Sequence, residues 1–148
     1  MTAHDDLLKL ENQLCFALVT AARNVVAVYR PVLEPLGLTH PQYLVMLALW
    51  ERAPRSLGEL ADELAMEPAT LSPLVKRLEA QGRVARGRNA QDERVLEIGL
   101  TDAGRALRAD ALAVPEQILA RVDMAAGEVA ALRDALARFA GRRSDLGR

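Results

Sequence analysis

The stretch SLGELADELAMEPATLSPLVKRLEAQGRVARGRNAQDERVLEIGLTDAG, residues 56–104, changes its apolar period part-way and so decides the architecture. Ser56-Leu57-Gly58-Glu59 has the S-x-x-E form of a capping box, in which both side chains satisfy backbone donors at a helix start. It predicts a short helix from Leu57 to about Met66. A second helix is predicted from near Pro68 to Gly82, a natural C-terminal stop. Pro73 leaves two placements open. Either the helix starts with Ser72 as cap and Pro73 in its first position, or Pro73 sits inside and removes one backbone bond. After Gly82 the helical spacing gives way to Val84, Val95 and Ile98, with Gly87 and Asn89 as turn residues. That pattern predicts a two-stranded hairpin, the only β signal in the chain.

Working outward, Leu7, Leu10, Leu14, Leu18, Ala22, Val25 and Tyr29 recur every three or four residues and predict one helix from Leu7 to Tyr29, stopped by Pro31. At roughly 23 residues it would be about 35 Å long, more than a small core needs, so part of it is expected to pack on another chain. Gly37 and Thr39 mark a turn, Pro41 suits a first helical position, and Tyr43 to Trp50 supply a further helix ending before Pro54. Thr101 and Asp102 open another helix, Pro115 interrupts its pattern, and an Ala/Leu helix follows from about Gly127 to Ala140. The expectation is a mainly α chain with a small β-hairpin.

The 148 residues fit one domain and suffice for a core without disulfide staples. A net charge of -1 excludes a globally basic nucleic-acid binder but not a local basic patch. The single cysteine, Cys15, excludes an intrachain disulfide and a cysteine-rich metal site. His4 and His40 are the only histidines and neither sits in a ligand cluster, so no metal and no cofactor are expected. No apolar run is read as long enough to span a bilayer, and the polar, acidic start MTAHDDLLKLENQ does not resemble an export signal, so the cytoplasm is the expected location.

Two short helices in tight succession, the second followed at once by a hairpin, form a winged helix-turn-helix. In that geometry the second helix enters the major groove and backbone contacts set its register. Between Thr70 and Arg94 there are six basic residues (Lys76, Arg77, Arg83, Arg86, Arg88, Arg94) against three acidic ones (Glu79, Asp92, Glu93), so the rest of the chain is net negative. Positive charge concentrated there is what phosphate binding needs, although a solvated arginine-rich surface would look the same. The residues expected to face double-stranded DNA are Thr70, Ser72, Lys76, Arg77, Arg86, Arg88, Asp92 and Arg94. Arg94, held by Asp92 at the hairpin tip, is placed in a minor groove, where negative potential is enhanced when the groove is narrow. A bland ion pair is the alternative.

The stretch quoted above, with D-x-R followed by L-T, resembles the multiple-antibiotic-resistance regulator (MarR) family. LENQLCFAL and VYRPVLEPLGLTHPQYLVMLALWE resemble, more narrowly, the organic-hydroperoxide-responsive repressors (OhrR) of one-cysteine type within it. The resemblance covers nearly the whole chain. It implies a single domain over 1–148, with about 1–36 and 101–148 as interlocking dimerisation helices and about 37–100 as the winged helix-turn-helix. It also implies a homodimeric repressor on a pseudo-palindromic operator, and Cys15 as the sensor of an organic hydroperoxide.

From the residues alone, Cys15 lies on the helical face of Leu18, Val19 and Ala22, where cysteine packs as a small hydrophobe. A reactive cysteine needs its thiolate stabilised. The resemblance implies tyrosines as donors to the thiol, with Tyr29 at one matching position and Tyr43 in the T-x-P-Q-Y run. Fourteen helical residues put Cys15 and Tyr29 about 21 Å apart, so a contact between them must cross the dimer interface or need a sharp bend, and the former is expected. The chain departs from the family at His40, where T-Y-P-Q-Y is usual, and at Val19, where a tyrosine often stands. His40 could support the thiolate, or be an ordinary exposed histidine at a helix start. Without a second cysteine, a sulfenic acid on Cys15 must wait for a small thiol to form a mixed disulfide, become a sulfenamide, or oxidise further.

Three other functions fit less of the pattern: a repressor of the same fold released by a small phenolic or apolar ligand, a thiol peroxidase using Cys15, and a helical interaction protein that never meets DNA. No resolving cysteine, serine-histidine-aspartate set, paired carboxylates or phosphate loop supports an enzyme.

Overall fold

The computed structural model describes residues 3–139; the predicted end of the last helix at Ala140 and the basic tail lie outside them. Eight α-helices and three strands follow in order: α1 (Ala3–Leu7), α2 (Leu14–Leu33), α3 (His40–Glu51), β1 (Arg55–Ser56), α4 (Leu57–Glu63), α5 (Pro68–Ala80), β2 (Val84–Arg88), β3 (Leu96–Leu100), α6 (Asp102–Ala111), α7 (Val114–Arg121) and α8 (Ala126–Leu136). Single 3-10 turns at Leu10–Asn12 and Glu34–Leu36 flank α2.

The long first helix departs from its predicted span at both ends. It begins at Leu14, not Leu7, because the chain is extended at Lys9 and Gln13. There Asn12 Nδ2 donates to the Asp6 carbonyl (2.6 Å) and Gln13 Nε2 to the Leu7 carbonyl (2.6 Å), closing α1 with side chains instead of helical bonds. Nor does Pro31 stop the helix, which continues to Leu33. Only one backbone bond is lost near the helix end, and continuing buries Val32 and Leu33 in the core. Leu14–Leu36 is, by length and composition, apolar enough to cross a membrane, contrary to the sequence reading. Most of its residues before Val28 are exposed on this single chain.

Local signals place the starts of α3, α4, α5 and α6, whereas α7, where the sequence shows only an interruption at Pro115, was not predicted as a helix of its own. Thr39 Oγ1 accepts from Gln42 N and Gln42 Oε1 from Thr39 N, a full capping box at α3. At α4 only half of the predicted box forms: Ser56 Oγ accepts from Glu59 N, while the Glu59 carboxylate turns to Arg52 at 3.8 Å. This helix ends at Glu63, three residues short of the expected Met66, because Ala65 adopts a left-handed φ of 52° and returns the Met66 N–H to the Ala61 carbonyl. Pro73 lies inside α5, with Pro68 at its start. Its ring is exposed, so water reaches the freed carbonyl.

β2 and β3 pair antiparallel as predicted, from Val84 opposite Leu100 to Arg88 opposite Leu96. β1, which was not predicted, adds to the other edge of β3 through Arg55 opposite Ile98 and Ser56 opposite Glu97. Two residues carry no alternation to detect. The core joins Leu33, Met46, Leu49, Leu60, Leu71, Leu78 and Ile98, so α2, α3, α4, α5 and the sheet share one apolar centre. Gly104 of α6 lies against the backbone of Arg83, and the carbonyl of Gly104 accepts from Trp50 Nε1 at 2.9 Å. That contact docks α6 onto both α3 and the start of the hairpin.

Candidate DNA interface and thiol site

In α5, Leu71, Leu74, Val75 and Leu78 are buried, and this orientation turns Thr70, Lys76 and Arg77 outward while Ser72 is half-buried. The helix is therefore pinned by one apolar stripe and presents a polar face. Lys76, Arg77 and Arg88 are exposed and form no ion pair among the described residues.

The other three basic residues of the segment are engaged. Arg83 is half-buried and donates from Nη2 to the Leu36 carbonyl at 3.2 Å. Arg86 grips Glu79 with a two-pronged contact, Nη2 to Oε1 at 2.9 Å and Nε to Oε2 at 3.2 Å, while its backbone N–H reaches Oε2 at 3.3 Å. Those donors hold the Glu79 carboxyl below the usual carboxylate range. At the hairpin tip Asp92 accepts from the backbone and guanidinium of Arg94, at 3.1 Å from N and from Nε, as expected. This lowers the Asp92 pKa and leaves the Arg94 side chain 90% exposed. Asn89 Oδ1 closes the tip by accepting from Gln91 N and Asp92 N, and its amide donates to Glu97. The hairpin is thus fastened at its base, middle and tip.

Cys15 is exposed on the first turn of α2. Near the far end of the same helix the half-buried Tyr29 ring meets His40 edge on, with centroids 5.0 Å apart, and lies 5.9 Å from the buried Tyr43. Burial lowers the His40 pKa below its ordinary 6.5 and so favours a neutral imidazole. Burial, then the neighbouring Tyr29, raises that of Tyr43. The three predicted thiol-supporting residues therefore form one cluster, and no proline bends α2 between Cys15 and Tyr29. Within one chain Cys15 stays about 21 Å along the helix from Tyr29.

Two grooves flank the cluster. One of 560 Å³ runs between α2, α3 and α5 and includes Val26, Arg30, Leu38, His40, Arg77 and Gln81. The other, of 320 Å³, lies between α3 and the α6–α7 corner and includes Tyr43, Leu47, Trp50, Arg108 and Leu112. Sequence reasoning did not single out Arg30, Gln81 or Arg108, because nothing local marks a groove assembled from three elements.

A family model described as transcriptional regulator SarA/Rot matches residues 27–110, more than half of the chain. The organic hydroperoxide resistance transcriptional regulator of Bacillus subtilis is 38% identical over 131 residues, covering 88% of this chain and 89% of that protein. The chain is a MarR-family winged helix-turn-helix transcriptional regulator of the OhrR and SarA/Rot kind. The HTH-type regulator TtmR of Methylorubrum extorquens is 43% identical over 92% of this MarR-family chain and 70% of its own length. Among solved structures, reduced AbfR bound to DNA superposes with a TM-score of 0.73 at 34% identity, covering 92% of this chain and 95% of AbfR, a protein of Staphylococcus epidermidis. The proteins matched are transcriptional regulators, not enzymes.

Proposed function

We propose that this MarR-family chain is a cytoplasmic homodimeric repressor that binds a pseudo-palindromic operator and releases it when an organic hydroperoxide oxidises Cys15. The observation that carries the sensor reading is the placement of an exposed Cys15 and the Tyr29–His40–Tyr43 cluster near opposite ends of one continuous helix. Pairing α2 with its antiparallel copy would bring each thiol beside Tyr29 of the partner subunit. Exposed apolar residues support such a pairing: Leu10, Leu14, Phe16 and Val19 at the N-terminal end, Leu132 and Phe139 near the C-terminal one. In this reading about 1–36 and 101–148 hold the dimer, and about 37–100 hold the DNA.

The chemistry follows from the thiolate. It attacks the outer peroxide oxygen, the O–O bond breaks, an alcohol leaves after protonation, and Cys15 becomes a sulfenic acid. A small thiol then condenses with it to a mixed disulfide, releasing water. A neutral His40 and the tyrosine hydroxyls offer hydrogen bonds to the thiolate without neutralising it. New bulk on α2 at the dimer interface shifts the population toward a spacing of recognition helices that no longer fits DNA. On the DNA, Thr70, Ser72, Lys76 and Arg77 read or flank the major groove, Arg88 meets phosphate, and Arg94 with Asp92 takes the minor groove. AbfR is known in reduced and overoxidised forms bound to DNA and in a disulfide form, so oxidation states of a relative have been described.

A second reading is release by a non-covalent ligand. The 560 Å³ groove joining α2 to the recognition helix favours it, as do CouR bound to p-coumaroyl-CoA, at 28% identity, and BpsR regulated by 6-hydroxynicotinic acid, at 26%. A gel shift on the chain's own upstream DNA separates the two. With stoichiometric hydroperoxide and a small thiol present, wild type releases DNA and Cys15→Ser does not. Retention by both proteins removes the sensor role from Cys15.

A further inference from the structure

Glu79 stands out on a helix whose other charged side chains, Lys76 and Arg77, are positive. It occupies the last turn of the recognition helix, where a carboxylate opposes phosphate binding. Yet it is bound by three donors of a single residue, Arg86, which lies at the centre of β2 opposite Ile98. The two residues straddle the turn at Gly82, whose φ of 74° makes it a natural bend. The fork therefore spans the corner between the helix and the wing.

We propose that Glu79 and Arg86 are positioning residues that set the angle of the wing on the recognition helix, and that Arg86 is not a phosphate contact. The proposal rests on the DNA-binding reading above and adds a division of labour among its basic residues. The reach of the wing gives the pair its leverage. The tip lies three or four residues beyond Arg86, about 10 to 13 Å along an extended strand, so a 10° error at the corner moves Arg94 by about 2 Å. A displacement of that size removes a groove contact, which needs hydrogen-bond distances. The geometry of the guanidinium suits this task, because a planar fork fixes orientation as well as distance, whereas a lysine would supply only a point charge. Asp92 and Asn89 stiffen the tip itself, so the corner is where residual freedom of the wing would enter.

The test exploits a reversal of sign. Removing a negative charge beside DNA by Glu79→Gln should tighten binding if electrostatics alone operates; the positioning role instead predicts a loss of about threefold or more on the upstream duplex. Arg86→Lys, which keeps the charge, should lose a similar factor, and Glu79→Gln with Arg86→Gln should cost no more than either alone. The slope of log affinity against log salt should stay at the wild-type value in Glu79→Gln and Arg86→Lys. Tighter or unchanged binding by Glu79→Gln overturns the proposal. So does a salt slope lowered by about one in Arg86→Gln, the mark of a lost phosphate contact. Hydrogen exchange on the free proteins checks the corner without DNA: β2 and β3 amides should exchange faster in Glu79→Gln and in Arg86→Gln, and unchanged exchange rejects the lock. If wild type itself ignores the duplex while the exchange result holds, the DNA reading fails and the structural lock stands.

Discussion

Tyr29 and His40 meet edge to face at 5.0 Å although one lies in the last part of a long, largely exposed helix and the other opens the next. The contact ties the end of α2 to the start of α3, so the helix that carries Cys15 and the cap that precedes the DNA-binding lobe share a side-chain junction. Tyr43, one turn along α3, lies 5.9 Å from the Tyr29 ring and completes the cluster.

Replacing His40 by Phe should keep most of that aromatic packing, worth about 0.5–1.5 kcal/mol for such a pair, while deleting the imidazole N–H. Oxidation of Cys15 by an organic hydroperoxide should slow severalfold, with the melting temperature nearly unchanged. The rate is read by following loss of free thiol under a small excess of oxidant; equal rates in the two proteins would take His40 out of the mechanism.

The depressed pKa of His40 has a definite sign for stability. The unfolded chain takes up a proton near pH 6.5, while the folded one resists it until lower pH because burial disfavours the charged ring. The stability His40 contributes is therefore full above 6.5 and declines as the pH falls below it toward the folded pKa. Thermal melts between pH 8 and 5 should show wild type losing more than His40→Phe over that window. Parallel curves would mean that burial of this ring does not govern its protonation.

Gly104→Ala should destabilise the protein by about 1–3 kcal/mol, since a methyl group there overlaps the Arg83 carbonyl oxygen and the backbone must move. The shift would loosen the Trp50 hydrogen bond to the same residue, so tryptophan emission should change together with the urea midpoint. A midpoint within error of wild type would show that α6 moves freely against the hairpin.

Arg94→Ala should leave stability unaltered, because its partner Asp92 is a surface carboxylate and such pairs contribute little. DNA affinity should fall by about 1–3 kcal/mol, and more on operators with a narrow minor groove at the wing position than on others. Equal losses on both kinds of duplex would move Arg94 from the groove to the phosphates.

Features that a few neighbouring residues control were legible in the chain before any folding was known. Thr39 with Gln42, Ser56, Thr101 and Gly82 set helix ends through bonds and φ values within a turn. The stripe Leu71, Leu74, Val75 and Leu78 set which face of α5 is buried, and the hairpin followed from the change of period after Gly82. Asp92 holding Arg94 was equally local. Where distant groups compete, packing set the outcome. The side chains of Asn12 and Gln13 break an unbroken apolar period, and burial of Val32 and Leu33 carries α2 past Pro31. β1 exists only because β3 offers it an edge. Arg83 and Arg86 read in sequence as free positive charge, but a carbonyl at Leu36 and a carboxylate at Glu79 engage them, and partners so separated leave no periodic trace. The same reason kept the junction of Tyr29, His40 and Tyr43 out of sight, since it forms only when α2 and α3 pack.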